Sequence, residues 1–442
     1  MNIIYLHTHD TGRWIQPYGY GVPTPNLQRM AENGVLFRNN FCCNPTCSPS
    51  RAAMLTGMSP HACGMFGLAH RGFRMDDYSR HLCNFLKTQG YETALCGMHH
   101  EVPHAKMELL HYDRILGSLA LDDRPDRGHA LIERDRRNCA KAVEYLQAGH
   151  QRPFFLSFGM FSTHRPFPLE LPGVDAGYVL PPAKLPDHPD TRRDMAGFAL
   201  MAKAADDCVG AVLQAVQDAG LEDDTLVFFT TDHGAAFPGS KCTLYDTGIG
   251  VSLILKLPKK RFAGQVVDAL VSHLDVFPTL CDLAGLPQPD WLEGHSLLPL
   301  LAGDTDRVRE EVFAEVNYHA AYEPMRCIRT ERYKLIRHFD DYDKVVLPNI
   351  DPGLSKDFLL QHGLRGRTKA MTEFYDLLHD PGEMNNLAAA PEYAVPVAEL
   401  SSRLNAWMRA TNDPLLTGPA PRPADAKVNR KNGLEPTDHD YE

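Results

Sequence analysis

No stretch of the 442-residue chain approaches the ~18 consecutive apolar residues that a membrane-spanning helix needs, which excludes a helical membrane protein. Positive charge is not in excess either. Lys and Arg total 45 against 56 Asp and Glu, a net charge of −11, so a nucleic-acid partner is excluded by repulsion from its phosphates. Any anionic ligand must then be held by cations gathered locally. There is no cysteine framework: the 11 cysteines are odd in number and scattered, and Cys42, Cys43 and Cys47 have no second C-x-x-C pair to close a zinc knot. The chain start shows no basic region or cleavage site, since Met1 runs straight into the apolar residues 3–6. With the unpaired thiols, this gives the expectation of a cytoplasmic protein. No internal repeat is visible. What remains, at 43% hydrophobic and 23% charged residues, is a globular chain large enough for one big core and a smaller appended one.

What is present is an alternation of short apolar runs and helical patterns. Residues 2–6 predict a first strand, followed by His7-Thr8-His9-Asp10-Thr11-Gly12. Residues 25–33 predict a short helix closed by Gly34, and residues 35–41 lead into Cys47. Residues 91–96 predict a strand running into Gly97-Met98-His99-His100, and residues 153–158 one running into Ser162-Thr163-His164-Arg165-Pro166. A helix over about 191–219, with Leu200, Ala204, Val209, Val212 and Val216 on its apolar side, precedes a strand at 225–230 that ends in Thr231-Asp232-His233-Gly234. Five strands thus end in polar clusters. That recurrence predicts an α/β fold, a large mostly parallel sheet flanked by helices with one active site at its carboxyl edge. From about residue 311 the texture changes to short strands at 325–329 and 333–338, then an amphipathic helix at 394–410. The expected division is a catalytic domain over 1–310 and an α+β subdomain with a short antiparallel sheet over 311–442. Its Pro-rich tail from about 414 reads as an extended or partly disordered arm.

The most informative stretch is Cys47-Ser48-Pro49-Ser50-Arg51, continued by Ala52 to Gly57. Pro49 suits a first helical turn, where its missing N–H costs nothing. Cys47 and Arg51 are one turn apart on such a helix and are expected to face one cleft, with the thiol at the positive end of the helix dipole. That is an anion site. Asp10 and Asp232, each beside a histidine at a strand end, could close a cation site with His9 and His233.

The run C-x-P-S-R-x-x-x-L-T-G resembles the signature of the type I, formylglycine-dependent sulfatases of the alkaline-phosphatase-like superfamily. Further stretches resemble the same family in order: Thr24-Pro25-Asn26-Leu27, Gly34-Val35-Leu36-Phe37, Asp275-Val276-Phe277-Pro278-Thr279-Leu280, and Tyr375-Asp376-Leu377 with Asp380-Pro381-Gly382-Glu383. The branch acting on N-sulfoglucosamine in heparan sulfate is the most similar, through Gly64-Met65-Phe66-Gly67-Leu68, His164-Arg165, Phe237-Pro238-Gly239-Ser240-Lys241 and Pro324-Met325-Arg326. The resemblance implies that a maturation enzyme converts Cys47 to formylglycine. One hydroxyl of its hydrate attacks sulfur, and the other drives return to the aldehyde with loss of sulfate. It also implies a divalent ion, calcium in the family, held by Asp10, Asp232 and modified Cys47. Arg51 would stabilise the diol, His100 and His164 would move the leaving-group proton, and Lys241 would grip sulfate.

Two departures matter. His9 and His233 stand where the family usually has Asp and Asn, and imidazole favours zinc or manganese over calcium. Met98 stands where the family usually has a lysine, with His99 beside it as a partial replacement. Substrate contacts are expected from His99, Lys241, His319 and Arg326. The expected function is hydrolysis of a sulfated sugar, by N-sulfate or sulfate-ester cleavage. A phosphonate or phosphate monoester hydrolase and a non-catalytic sulfated-glycan binder are the alternatives. No membrane or nucleic-acid partner is expected, and a homo-oligomer is left open.

Overall fold

The computed structural model describes residues 1–442, the side chain of His104 excepted. Eight strands form the larger sheet: β1 (Asn2–Thr8), β2 (Val35–Phe41), β3 (Glu92–Gly97), β4 (Arg114–Leu116), β5 (Phe154–Gly159), β6 (Thr225–Thr231), β7 (Leu253–Lys256) and β8 (Gln265–Ser272). Their order is β4-β3-β5-β1-β6-β7-β2-β8, and only β7 runs antiparallel to its neighbours. Strand β1 is central, paired along its length with β5 and β6, and all seven of its residues are buried. Such a strand must be apolar on both faces, which is why residues 3–6 read as a continuous run and not as an alternation.

The pleat sends alternate residues to two cores. Ile4 and Leu6 join Leu156, Phe158 and Phe229 under the helices Arg127–Gln147 and Pro189–Asp218, with Val209, Val212 and Val216 as the helical contribution. Ile3 and Tyr5 face the opposite way, against Met54 and Leu55 of the helix Cys47–Thr56 and Phe277 and Leu280 of the helix Val276–Ala284.

A separate antiparallel sheet is built from β9 (Glu311–Tyr318), β10 (Tyr322–Thr330), β11 (Tyr333–His338) and β12 (Thr372–Asp376), in the order β12-β11-β10-β9. One face shares a core with the first sheet, Val312, Val316 and Met325 meeting Phe41, Leu244 and Ile249. The other face is covered by Leu400, Leu404 and Met408 of the helix Ala394–Ala410. The tail, expected as an extended or partly disordered arm, is an extended arm that packs back onto the molecule. Val428 and Asn429 are buried, Asn429 bridges to Ala321, and Arg71 donates to the carbonyl of Lys427 and to Asn429 Oδ1. All 11 cysteines are buried and unpaired.

At the carboxyl edge β3 and β5 approach so closely that a Cβ on Gly159 would lie 1.9 Å from the Met98 carbonyl oxygen and 2.5 Å from the His7 ring. Gly159→Ala is therefore expected to lower the unfolding free energy by about 1–3 kcal/mol, the usual cost of overpacking. It should also reduce turnover per folded molecule, because the displaced carbonyl leads into His99 and His100. Denaturant melts paired with activity titrated to folded protein test this. Parent-like values in both would contradict it.

Candidate active site

The site forms where β1, β3, β5 and β6 end and the helix Cys47–Thr56 begins. Strand β1 delivers His9 and Asp10, the latter in the left-handed region at φ 56°, a conformation that Asp tolerates better than most residues and that tends to persist at functional sites. The turn is held by Asp232: its Oδ1 accepts from the Asp10 and His233 amides, at 2.8 and 3.0 Å. Ser50 of the cysteine helix donates to the Asp232 carbonyl at 2.5 Å, tying the helix to the end of β6.

Arg51 does not face an open cleft as the helical spacing suggests. Every side chain of that helix is buried, because it is sandwiched between the sheet and neighbouring elements. Arg51 is fully buried beneath the cluster, donating to His7 Nδ1 (2.7 Å), the Thr8 carbonyl (2.9 Å) and Asp232 Oδ2 (2.9 Å). Accepting from Arg51 fixes His7 as a neutral ring, and burial with the adjacent guanidinium holds its pKa well below the usual value.

His9, Asp10, Cys47, Asp232 and His233 bring five ligand-type atoms within 4.8 Å of one another, all buried. His9 Nδ1 is 2.7 Å from Asp10 Oδ1 and 3.1 Å from Asp232 Oδ2, while His233 Nε2 is 3.2 Å from Asp10 Oδ1. Burial disfavours charge on both rings, yet the two carboxylates outweigh it and raise both pKa values. His233 Nδ1 donates to the Gly234 carbonyl at 2.9 Å, and its buried Nε2 has no hydrogen-bond partner. In that neutral tautomer a lone pair faces a carboxylate, an arrangement that calls for a cation or a proton between them. A metal-ligating histidine commonly donates its other nitrogen to a backbone carbonyl in this way. The residues therefore fit a divalent ion. Burial raises the Cys47 thiol, but the neighbouring charges of Lys241 and His9 bring it down to about 7.

Lys241 is drawn beside Cys47 because the Cys242 amide donates to the Pro45 carbonyl. Its Nζ lies 2.9 Å from Asp10 Oδ2 and 2.8 Å from Asp351 Oδ2. The rings of His100 and His164 lie 4.8 and 4.5 Å from that of His9. His164 donates from Nδ1 to the Arg165 carbonyl, leaving Nε2 toward Asp10 at 3.8 Å, and burial lowers its pKa to about 4. His319 is buried within electrostatic reach of Lys241 and Asp351.

One expected substrate contact is corrected. Arg326 is fully buried inside the second sheet, where Nε and Nη2 donate to Asp413 at 2.5 and 2.9 Å and Nη1 to the Val316 and Met325 carbonyls. Its chain position beside His319 suggested the cleft, but β10 turns it inward. His99 is buried, 3.7 Å from Glu101. Residues missed in the sequence include His7, legible in hindsight from the His7-x-His9-Asp10 run, and His70, whose exposed ring lies 6.1 Å from His100. Asp351 carries no sequence signal. A cavity of about 610 Å³ lined by Glu293, His295, Arg309, Glu311, Glu315 and Trp407 contains none of these residues.

The buried cluster of carboxylates, imidazoles and a thiol at the carboxyl edge of a largely parallel sheet is the layout of an α/β protein with a cation site at its strand ends. The family signature described as Sulfatase matches residues 1–286, and the one described as N-sulphoglucosamine sulphohydrolase, C-terminal, matches residues 239–357. The chain belongs to the sulfatase family. It is similar to human N-sulphoglucosamine sulphohydrolase, at 31% identity over 90% of this chain and 88% of the relative. It is also similar to an ulvan-active sulfatase of Formosa agariphila, at 30% identity over 93% and 80%. Among solved structures, a 2-O GAG sulfatase superposes with a TM-score of 0.73 at 22% identity, covering 98% of each chain.

The Arg326–Asp413 pair yields a stability prediction. Asp413→Ala strands a buried guanidinium and should cost about 3–5 kcal/mol, with turnover per folded molecule unchanged. Urea unfolding and kinetics together check this; a raised KM at parent stability would restore Arg326 to the substrate.

Proposed function

We propose that this sulfatase hydrolyses an N-sulfated glucosamine unit, with Cys47 as the residue oxidised to formylglycine by a separate maturation enzyme. The observation that carries the reading is Cys47 itself: a buried thiol at a helix start, flanked by Lys241, His9 and His233, in a family whose members act on sulfated sugars. The N-sulfate preference is supported by the match of residues 239–357 and by the human relative. The overall reaction balances as R–NH–SO₃⁻ + H₂O → R–NH₃⁺ + SO₄²⁻. Formylglycine, when formed and hydrated, supplies the hydroxyl that attacks sulfur.

The chain's own groups account for the rest. Lys241 offers its ammonium to the non-bridging sulfate oxygens, answering the requirement for a local cation on an acidic protein. Arg51 neutralises Asp232 from below and keeps the floor of the site from repelling an anion. His164, neutral and with Nε2 toward the site, accepts a proton more readily when the anionic substrate is present, and can then pass it to the leaving nitrogen. His100 is placed beside it for the same proton traffic. A divalent ion would be held by Asp10, Asp232 and position 47 with His9 and His233, and when bound would polarise a sulfate oxygen.

Beside the Lys241–Asp351 pair lies a cavity of about 430 Å³ whose wall includes Lys184, Arg367 and Lys369. Its acids are engaged internally, Glu323 by Lys369 and Asn349, and Glu373 by Tyr245 and Tyr375.

Cys47→Ala and Arg51→Ala are each expected to abolish turnover, at least about 10³-fold. Cys47→Ala should leave the fold intact, whereas Arg51→Ala should also lower stability because it uncovers buried Asp232. Parent-level activity in Cys47→Ala would overturn the mechanism. N-sulfoglucosamine should be hydrolysed faster than phenyl phosphonates, and the reverse ranking in a substrate panel would favour phosphonate hydrolysis. Chelator-treated enzyme should recover better with zinc or manganese than with calcium, because two of the five ligand positions are imidazole. Stoichiometric calcium by elemental analysis, retained in His9→Ala and His233→Ala, would show the opposite.

A further inference from the structure

Asp351 reaches the site from outside the sheet that builds it. It follows the turn Leu347–Asn349 and precedes the helix Leu354–Gln361, and only 10% of its side chain is exposed. Three clamps hold this loop. The first is Asp194 on the long helix: it takes both terminal nitrogens of Arg165 at 2.7 and 2.6 Å and the Ser355 amide at 3.1 Å. Gly353 is pressed onto the same guanidinium, and a Cβ there would lie 2.1 Å from Arg165 Nη1. The second is Asn349, which accepts from the Ala321 amide at 2.8 Å and donates to Glu323 at 3.0 Å. The third is buried Lys356, which donates to the carbonyls of Ile350 and Leu434 and to Glu435 of the C-terminal arm, at 2.9, 2.7 and 2.9 Å. A surface loop needs no such anchoring; a loop that must present one carboxylate at a fixed point does.

The carboxylate it presents is opposed to Asp10 across Lys241. The ammonium lies 2.9 Å from Asp10 Oδ2 and 2.8 Å from Asp351 Oδ2, a nearly even division between the two anions. Asp10 also supplies Oδ1 to the cluster with His9, His233 and Asp232. An ammonium wholly on Asp10 would compete with a divalent ion for that carboxylate, whereas one shared with Asp351 leaves Asp10 its charge.

We propose that Asp351 is a positioning residue that draws Lys241 off Asp10, and so sets the affinity of the Asp10–Asp232 cluster for its divalent ion. The inference rests on the reading of that cluster as a cation site. It assigns the connection between β11 and β12 a task in the site and makes Lys241 the element through which Asp351 acts.

The test uses the full-length protein, stripped with chelator and titrated calorimetrically with manganese and, separately, with calcium. Asp351→Asn should weaken binding about tenfold, in the range that supporting partners of metal ligands carry. Lys241→Met alone should bind at least as tightly as the parent. The double variant Asp351→Asn/Lys241→Met should return to within about threefold of the parent, because without the ammonium nothing remains for Asp351 to restrain. A merely structural role for Asp351 would leave the double variant as weak as Asp351→Asn. That result, or parent-like binding in Asp351→Asn, overturns the proposal. Should Asp351→Asn not fold, Lys241→Met binding more weakly than the parent has the same force. Absence of binding of either ion to the parent protein defeats the cation reading itself, a distinguishable outcome.

Discussion

Two carboxylates, Asp10 and Asp232, lie with no solvent exposure of their side chains at the end of adjacent central strands, and the local structure is arranged around their charge. Burying an ionised carboxylate is costly unless it is paired and hydrogen-bonded. Asp232 is paid for by Arg51 and two backbone amides, and Asp10 by Lys241 and the neighbouring imidazoles. The partners come from four separated parts of the chain, so the charge can be compensated only in the folded state. Both carboxylates are held well below the usual range by these cations, despite burial.

That constraint explains why the strands carry so little polarity until their last residues. A sheet covered on both faces admits apolar side chains along its length, and polar groups can emerge only at its edge, where the helices no longer cover it. β1 passes from Ile3 and Ile4 to His9 and Asp10 within seven residues, and β6 from Leu226 to Asp232 in the same way. The second sheet adds nothing to the centre of this cluster, but it fixes the far side. His319 follows β9, and Asp351 is anchored through Asn349 to the turn between β9 and β10. The buried Arg326–Asp413 pair belongs to that framework, fastening the end of the last long helix to the sheet.

The helix that carries Cys47 illustrates how packing changes a local reading. Spacing alone puts Cys47 and Arg51 on one face, and they are on one face. Complete burial of the helix then makes that face the floor of a cluster and not the wall of a cleft. Arg51 acts by compensating Asp232, and Lys241, from a loop some 190 residues further along, becomes the cation beside the thiol.

Local patterns in the sequence mark the five strands with polar ends, the helices near 191–219 and 394–410 and the change of texture near residue 311, but not the helix Arg127–Gln147 or β4, β7 and β8, and the set His9, Asp10, Cys47, Asp232 and His233 is drawn together with the help of the family resemblance. The marked elements are legible because apolar runs with polar ends, helix stops at glycine and a thiol-proline-arginine spacing are all local signals. Only the tertiary structure decided which cations meet which anions. Asp351 lies in a loop without periodicity, and its place depends on clamps from Asp194, Ala321 and Glu435, residues far from it in the chain. Arg326 looks like a cleft residue by chain order, yet the direction of its strand turns it inward. A side chain's charge is written in the sequence, but the partner that neutralises it is chosen by long-range packing, and in this protein that choice separates the residues of the site from those that support it.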